Sequence, residues 1–440
     1  MNSKDAVVMS CTIGARRRLA VTVTLTKMRG VFAVALGVAA ILCAAALPLS
    51  AQSETVLYRF CSLRYCADGT TPAATLTLDG SGNLYGTAAG GNSQFYAGVV
   101  FKVSSSGVES LVYDFTAMTQ GVAPNGALAR DASGNFYGTT AGGGYDQGKC
   151  KKHYGCGVVY KLSGGVEQVL YTFKGTTDGL EPNGGLVVDA SGNIYGTTYR
   201  SGTKGTGAGL VFKVTPAGNE TVLHQFGTGK GDGRMPTSGL VMDKNGNLYG
   251  TTSEGGSDGN YGPGLNCTNR CGTVYEITAA GQEKILYSFK GFQSSDGAAP
   301  FASLILDKQG NLYGTTYAGG AYGFGTIFKL TPSGQETVLY SFVGLPDAGN
   351  PVGRLLMDSQ GNLFGTTSYG GNFDSGALFE LSASGKESVL YSFTGGADGA
   401  YPFDGLVMDG SGNLFGTTEL GGNFGNSCPL GCGVVFKVTR

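Results

Sequence analysis

Two histidines, eight cysteines beyond residue 51 and a recurrent set of aspartates are the side chains of this 440-residue chain with chemistry to offer. His153 stands beside Lys151, Lys152 and Tyr154 in a polar loop. His224 occupies a strand position where comparable segments carry tyrosine, so it reads as a core aromatic rather than a general base. No Gly-x-Ser-x-Gly elbow opens a helix. The Gly-rich stretches precede strands, so they lack the helix dipole that a phosphate loop uses. Paired carboxylates could still do acid–base work without histidine. The aspartates that could supply them, Asp178, Asp232, Asp296 and Asp398, recur at equivalent places. Catalysis needs one site rather than several copies, so the recurrence favours a structural role.

The eight cysteines are Cys61, Cys66, Cys150, Cys156, Cys267, Cys271, Cys428 and Cys432. They come in near pairs, which in an exported chain points to disulfides. Zinc is the rival reading, with C-x4-C, C-x5-C and C-x3-C spacings and His153 as the nearby imidazole. Cys150–Cys156 and Cys267–Cys271 have no obvious partners but each other, and a loop this small gains roughly 2 kcal/mol from closure. The other four have two solutions. Either Cys61–Cys66 and Cys428–Cys432 pair locally, or Cys61–Cys432 and Cys66–Cys428 clasp the two ends of the chain.

A repeat must position these residues. The stretch GNLYGTT, or a close variant, begins at Gly82, Gly134, Gly192, Gly246, Gly310, Gly361 and Gly412. Seven copies at this period signal a repeat architecture. Each copy holds four short segments rich in β-branched and aromatic residues, which we label strands A to D. In the fifth copy they are 304–306, 311–316, 326–330 and 337–342. The A–B turn reads Asp-x-x-Gly-Asn throughout, with Asp79, Asp131, Asp189, Asp243, Asp307, Asp358 and Asp409. Such an Asp can cap its own turn, and the Gly supplies the positive φ. Calcium is the rival, but one carboxylate per turn makes a poor calcium cage. In the C–D turn, Thr331-Pro332-Ser333-Gly334 is expected to set Thr331 opposite Glu336. The D–A connection always ends in Pro, where a missing N–H costs little. The B–C connection varies most in length.

Four antiparallel strands repeated seven times predict an all-β, seven-bladed β-propeller, with a β-solenoid as the competitor. The chain after residue 52 opens on a D-type strand, 54–60, and closes on a C-type strand, 433–439. Pairing these two closes the ring without an open seam. D–A and B–C connections should then share one face with all eight cysteines. A ligand would sit there, near the central channel. The candidate contacts are Asp178, Asp232, Asp296 and Asp398, with Tyr145, Tyr261, Tyr317, Tyr322 and Tyr369. The competing reading is that these Asp cap loops and these Tyr fill space. The chain has no Trp, so tyrosine is the main platform for stacking on a sugar.

Residues 1–51 read as a signal peptide: a basic lead (Arg16, Arg17, Arg18, Lys27, Arg29), an apolar run 31–47, and Leu49-Ser50-Ala51 as a cleavage site. Met28 offers a second start, and a membrane anchor is the alternative. Leu42 before Cys43 does not suit a lipoprotein signal. Residues 52–440 then form a single domain. Removing the signal leaves 24 basic against 30 acidic side chains, a formal charge of −6, which argues against nucleic acid.

The unit GNLYGTT, Gly-Gly, Val-Phe-Lys, Leu-Tyr-Ser-Phe, Asp-Gly-x-x-Pro resembles the GloVer tandem repeat family over residues 54–439. The resemblance implies an exported bacterial repeat protein of unestablished activity. Members of the family carry varied C-terminal anchors. This chain stops at Arg440, so release into periplasm or medium is expected. The strands are also similar to NHL-type and streptogramin-lyase-like propellers, but neither histidine matches a lyase's catalytic one. The leading expectation is a monomeric binding or structural scaffold outside the cytoplasm, with a glycan or protein ligand. No cofactor, metal, nucleic acid or membrane is expected once the signal is removed. A carboxylate-dependent hydrolase or lyase on the D–A/B–C face is the alternative.

Overall fold

A computed structural model describes residues 8–13, 17–22, 53–91, 97–145, 147–148, 150–201, 207–256, 271–425 and 428–440, with backbone only at 8–13, 17–22, Lys152, His153 and Gln293. The chain divides into two units, Met1–Ala51 and Gln52–Arg440. In the first, Val8–Ile13 pairs antiparallel with Arg17–Thr22. The apolar run 31–47, Met28, Cys43 and the expected cleavage site lie outside the described residues.

The second unit is a seven-bladed β-propeller of antiparallel sheets. In blade 5 the strands are A (Ile305–Leu306), B (Leu312–Thr316), C (Thr326–Leu330) and D (Glu336–Ser341), paired in that order. The turn aspartates tie the repeat together locally. Asp307 Oδ1 accepts the backbone N–H of Gln309 and Asn311, and Oδ2 accepts Asn311 Nδ2 and the Tyr313 hydroxyl. The second Gly of the motif is also required. A Cβ on Gly314 would lie 2.7 Å from the Phe328 ring of strand C and 2.8 Å from Leu304. The strand C aromatic therefore lies flat over strand B, where no side chain intervenes.

Blades hold each other through aromatics. The last Phe of each strand D meets the strand C aromatic of the next blade edge-on, with centroids 4.9–5.2 Å apart: Phe60–Phe101, Phe115–Tyr160, Phe173–Phe212, Phe226–Tyr275, Phe289–Phe328, Phe342–Phe379 and Phe393–Phe436. Most of these rings have no exposure at all. Each pair adds about 0.5–1.5 kcal/mol beyond the burial of its area.

The ring closes as expected. Ser53–Arg59 serves as strand D of blade 7 and pairs with strand C, Val434–Thr439. The register needs one correction. Glu336 pairs with Leu330, not Thr331, because Thr331 N–H instead bonds Gln335 O to close the turn. A bulge at Ile327/Phe328 then inserts one residue, so Ile327 meets Tyr340 in the expected register. The same bulge, at Val56/Tyr58, aligns the two ends of the chain.

Candidate functional site

The D–A and B–C connections of each blade bridge to one another on one face. The pairs are Thr70 with Gly90, Val122 with Gly142, Leu180 with Arg200, Gly233 with Gly255, Gly297 with Gly319, Ala348 with Gly370, and Ala400 with Leu420. The second Thr of strand B, present in blades 2 to 7, steers this bend. Thr316 Oγ1, for example, donates to Ala318 O at 2.9 Å. On this face lie most of the exposed large apolar side chains described, Tyr145, Tyr154, Tyr322, Tyr369, Phe373 and Phe424 among them. Only Val108, Leu111 and Val166 lie elsewhere.

Where the D–A connections turn inward to strand A, they line a central cavity of about 680 Å³. All seven blades reach it through the three residues between the Pro of the D–A connection and a Leu of strand A. Most of these are small or polar, such as Asn125, Asn183, Thr237 and Ser303. Blades 5 and 7 add Phe301, Tyr317 and Phe403, and Phe301 packs edge-on against Tyr317. Arg354 and Asp404 are the ionisable residues of the lining, on neighbouring blades. Asp404 accepts from the Thr75 hydroxyl and from Gly405 N–H. Burial raises its carboxyl pKa, with those bonds and Arg354 opposing. Burial likewise lowers the Arg354 pKa, and Asp404 opposes.

The sequence-nominated residues do not converge. Asp178 accepts the Tyr171 hydroxyl (3.0 Å) and Lys174 N–H (2.8 Å). Asp296 accepts Tyr287, Lys290 N–H and Gly297 N–H, and Asp398 accepts Tyr391 and Thr394 N–H. Asp232 accepts Thr228 N–H and faces His224. These four lie at the seams between blades, away from the cavity lining. Tyr317 lines the cavity, whereas Tyr145, Tyr322 and Tyr369 are exposed and are not among the lining residues. Tyr261 lies outside the described residues. The residues missed were Arg354, Asp404, Phe301 and Phe403. Their signal was available: they occupy the three variable places in Pro-x-x-x-Leu, between otherwise constant residues.

At the seams a second carboxyl joins each capping aspartate. Strand D of the following blade begins with a Glu, so Glu109 faces Asp68, Glu220 Asp178, Glu336 Asp296, Glu387 Asp347 and Glu54 Asp398. Burial, then the neighbouring Asp, pushes Glu54, Glu109, Glu220 and Glu336 up to about 7 and Glu387 to about 8.

The cysteines pair locally: Cys61–Cys66, Cys150–Cys156 and Cys428–Cys432. The cross-chain clasp is not formed, although the sulfurs of Cys61, Cys66, Cys428 and Cys432 all lie within 4.8 Å of one another beside the ring closure. Cys271 is disulfide-bonded, and Cys267 lies outside the described residues.

Seven four-stranded blades closed by their ends define a β-propeller with a central channel. The Gloeobacter/Verrucomicrobia repeat matches residues 148–269 and 261–436, and the chain belongs to this family. Among solved structures, an extracellular domain from B. thetaiotaomicron (BT4673) is similar with TM-score 0.51 at 10% identity. The match covers 86% of this chain and 40% of that one, so this chain spans two fifths of its length. A luciferin-regenerating enzyme matches with TM-score 0.42 at 14% identity, over 72% of this chain and 91% of that one. No curated protein matches the sequence.

Proposed function

We propose that this is an exported, non-enzymatic binding propeller whose D–A/B–C face takes a glycan or a protein segment at the mouth of the channel. Residues 1–51 act as the export signal and are removed. The local disulfides support an oxidising destination, periplasm or medium. The observation that carries the binding reading is the concentration of exposed aromatics on the face where the channel opens. Amphipathic rings around a cavity lined by small and polar residues suit a sugar chain, which offers both stacking faces and hydroxyls. The carboxylate-dependent alternative fits less well, because the nominated aspartates spend their oxygens on backbone N–H groups and seam tyrosines. The test is a glycan array probed with the full chain, with crosslinking to envelope proteins as its second arm. Saturable binding in either arm, weakened by Phe403→Ala, is expected. Absence of binding in both arms, or turnover of a bound glycan, contradicts the reading.

A further inference from the structure

The seam between blades 3 and 4 breaks the repeated pattern. At five other seams a strand D tyrosine donates to the capping aspartate: Tyr58 to Asp68, Tyr171 to Asp178, Tyr287 to Asp296, Tyr340 to Asp347 and Tyr391 to Asp398. At the sixth, Tyr113 reaches Glu167 instead, where Gln120 stands in place of the aspartate. Only here does histidine replace tyrosine. His224 keeps the structural part of the role, packing edge-on against Phe226 at 4.8 Å. Its other property is new. An imidazole nitrogen carries a lone pair that binds metals, where a phenol hydroxyl offers a poor one.

That nitrogen points at two carboxylates. His224 Nε2 is 3.3 Å from Asp232 Oδ1, and one donor atom each from His224, Asp232 and Glu283 lie within 4.8 Å of one another. Asp232 Oδ2 is held by Thr228 N–H at 3.0 Å, which fixes the carboxylate as an outer partner does in metal sites. Glu283 Oε1 is buried with no hydrogen-bond partner, as is the equivalent Glu oxygen at the other six seams, so the imidazole is what sets this seam apart. His224 carries at most one proton on the nitrogen facing Asp232, so it cannot satisfy both acids.

We propose that His224, Asp232 and Glu283 form a three-ligand site for a zinc-type divalent cation, away from the channel lining. One nitrogen and two carboxylates suit such an ion, whereas calcium takes about six to eight oxygens. Bond lengths of about 2.0–2.2 Å need the donors drawn closer, which rotation of the Glu283 side chain supplies. Solvent would complete the coordination.

The test titrates the full chain with zinc chloride by calorimetry, without reductant so that the cysteines stay paired. One ion per chain is expected. His224→Tyr installs the residue of the other six seams. It should leave the unfolding midpoint unchanged and weaken binding by at least about a hundredfold, the upper end for loss of a supporting partner. Glu283→Gln should weaken binding by about tenfold or more. Tyr340→His, beside Asp347 and Glu387, should raise the stoichiometry to two. A wild-type chain that does not take zinc, or a His224→Tyr chain that binds it as the wild type does, overturns the assignment.

Discussion

The seams between blades and the lining of the channel are built by the same seven repeats, yet they behave oppositely. At the seams the repeats agree. Aromatic meets aromatic seven times, and a carboxylate caps the D–A loop at six of seven. In the lining the repeats disagree, from Asn183-Gly184-Gly185 in blade 3 to Val352-Gly353-Arg354 in blade 6. A position that every blade needs for packing cannot vary without weakening the ring. A position that faces the channel can differ freely, and so can make one side of the mouth unlike the other. The difference separates what holds the ring from what would recognise a ligand.

The sharpest challenge to this division is to damage one seam. Phe342→Ala removes a fully buried ring packed on Phe379, and about 3–5 kcal/mol of stability should go with it. The equivalent change at Phe173 should cost a similar amount, read by chemical unfolding. If one proved neutral, the seams would not be equivalent. Next in size is the A–B turn. Asp307→Ala orphans two backbone N–H groups, an amide and a hydroxyl, and should cost about 1–2 kcal/mol. Asp189→Ala should match it.

A smaller effect is expected from pH, and it belongs to the repeats alone. The seam Glu carboxyls stand at about 7 in the fold against about 4.5 unfolded. Their contribution is therefore complete below about pH 4.5 and is lost as pH rises through 7. The turn aspartates run the other way. Burial raises their pKa values, but bonds from the following Asn and neighbours outweigh it and leave Asp79, Asp189 and Asp307 below 3.8. Their contribution is present above that value and lost as pH falls through the lowered one. The unfolding midpoint should peak near about pH 4 to 4.5 and drop on both sides. Glu387→Gln should flatten the alkaline fall. A midpoint that keeps rising to pH 8 would remove the paired carboxyls from the account.

These two regions were unequally legible. The seams could be read because repetition multiplies a weak signal. Seven Asp-x-x-Gly-Asn turns and seven alternating segments leave few folds open, and the D-type opening against the C-type ending set the ring closure. The bulge that shifts Glu336 by one residue was invisible, since nothing in ETVLYS distinguishes a bulged strand from a flat one. The aspartates at 178, 232, 296 and 398 were nominated for a ligand because their loops share one face, while their recurrence already favoured a structural role; in the fold each accepts a backbone N–H at a seam. Arg354 and Asp404 were passed over as single charges in a chain of many, although they fill variable places of the recurrent Pro-x-x-x-Leu. What distinguishes them is that they differ from their equivalents in other blades.

That contrast can be put to a single direct comparison. Arg354→Ser with Asp404→Ala writes into blades 6 and 7 the residues blade 5 carries at the same places, Ser303 and Ala302. Wild type and double variant would be melted and probed on the same glycan array. The account predicts midpoints within about 3 °C of each other and loss of the glycans that the wild type retains. A variant that binds the same glycans as the wild type, or one whose ring melts far earlier, would contradict it.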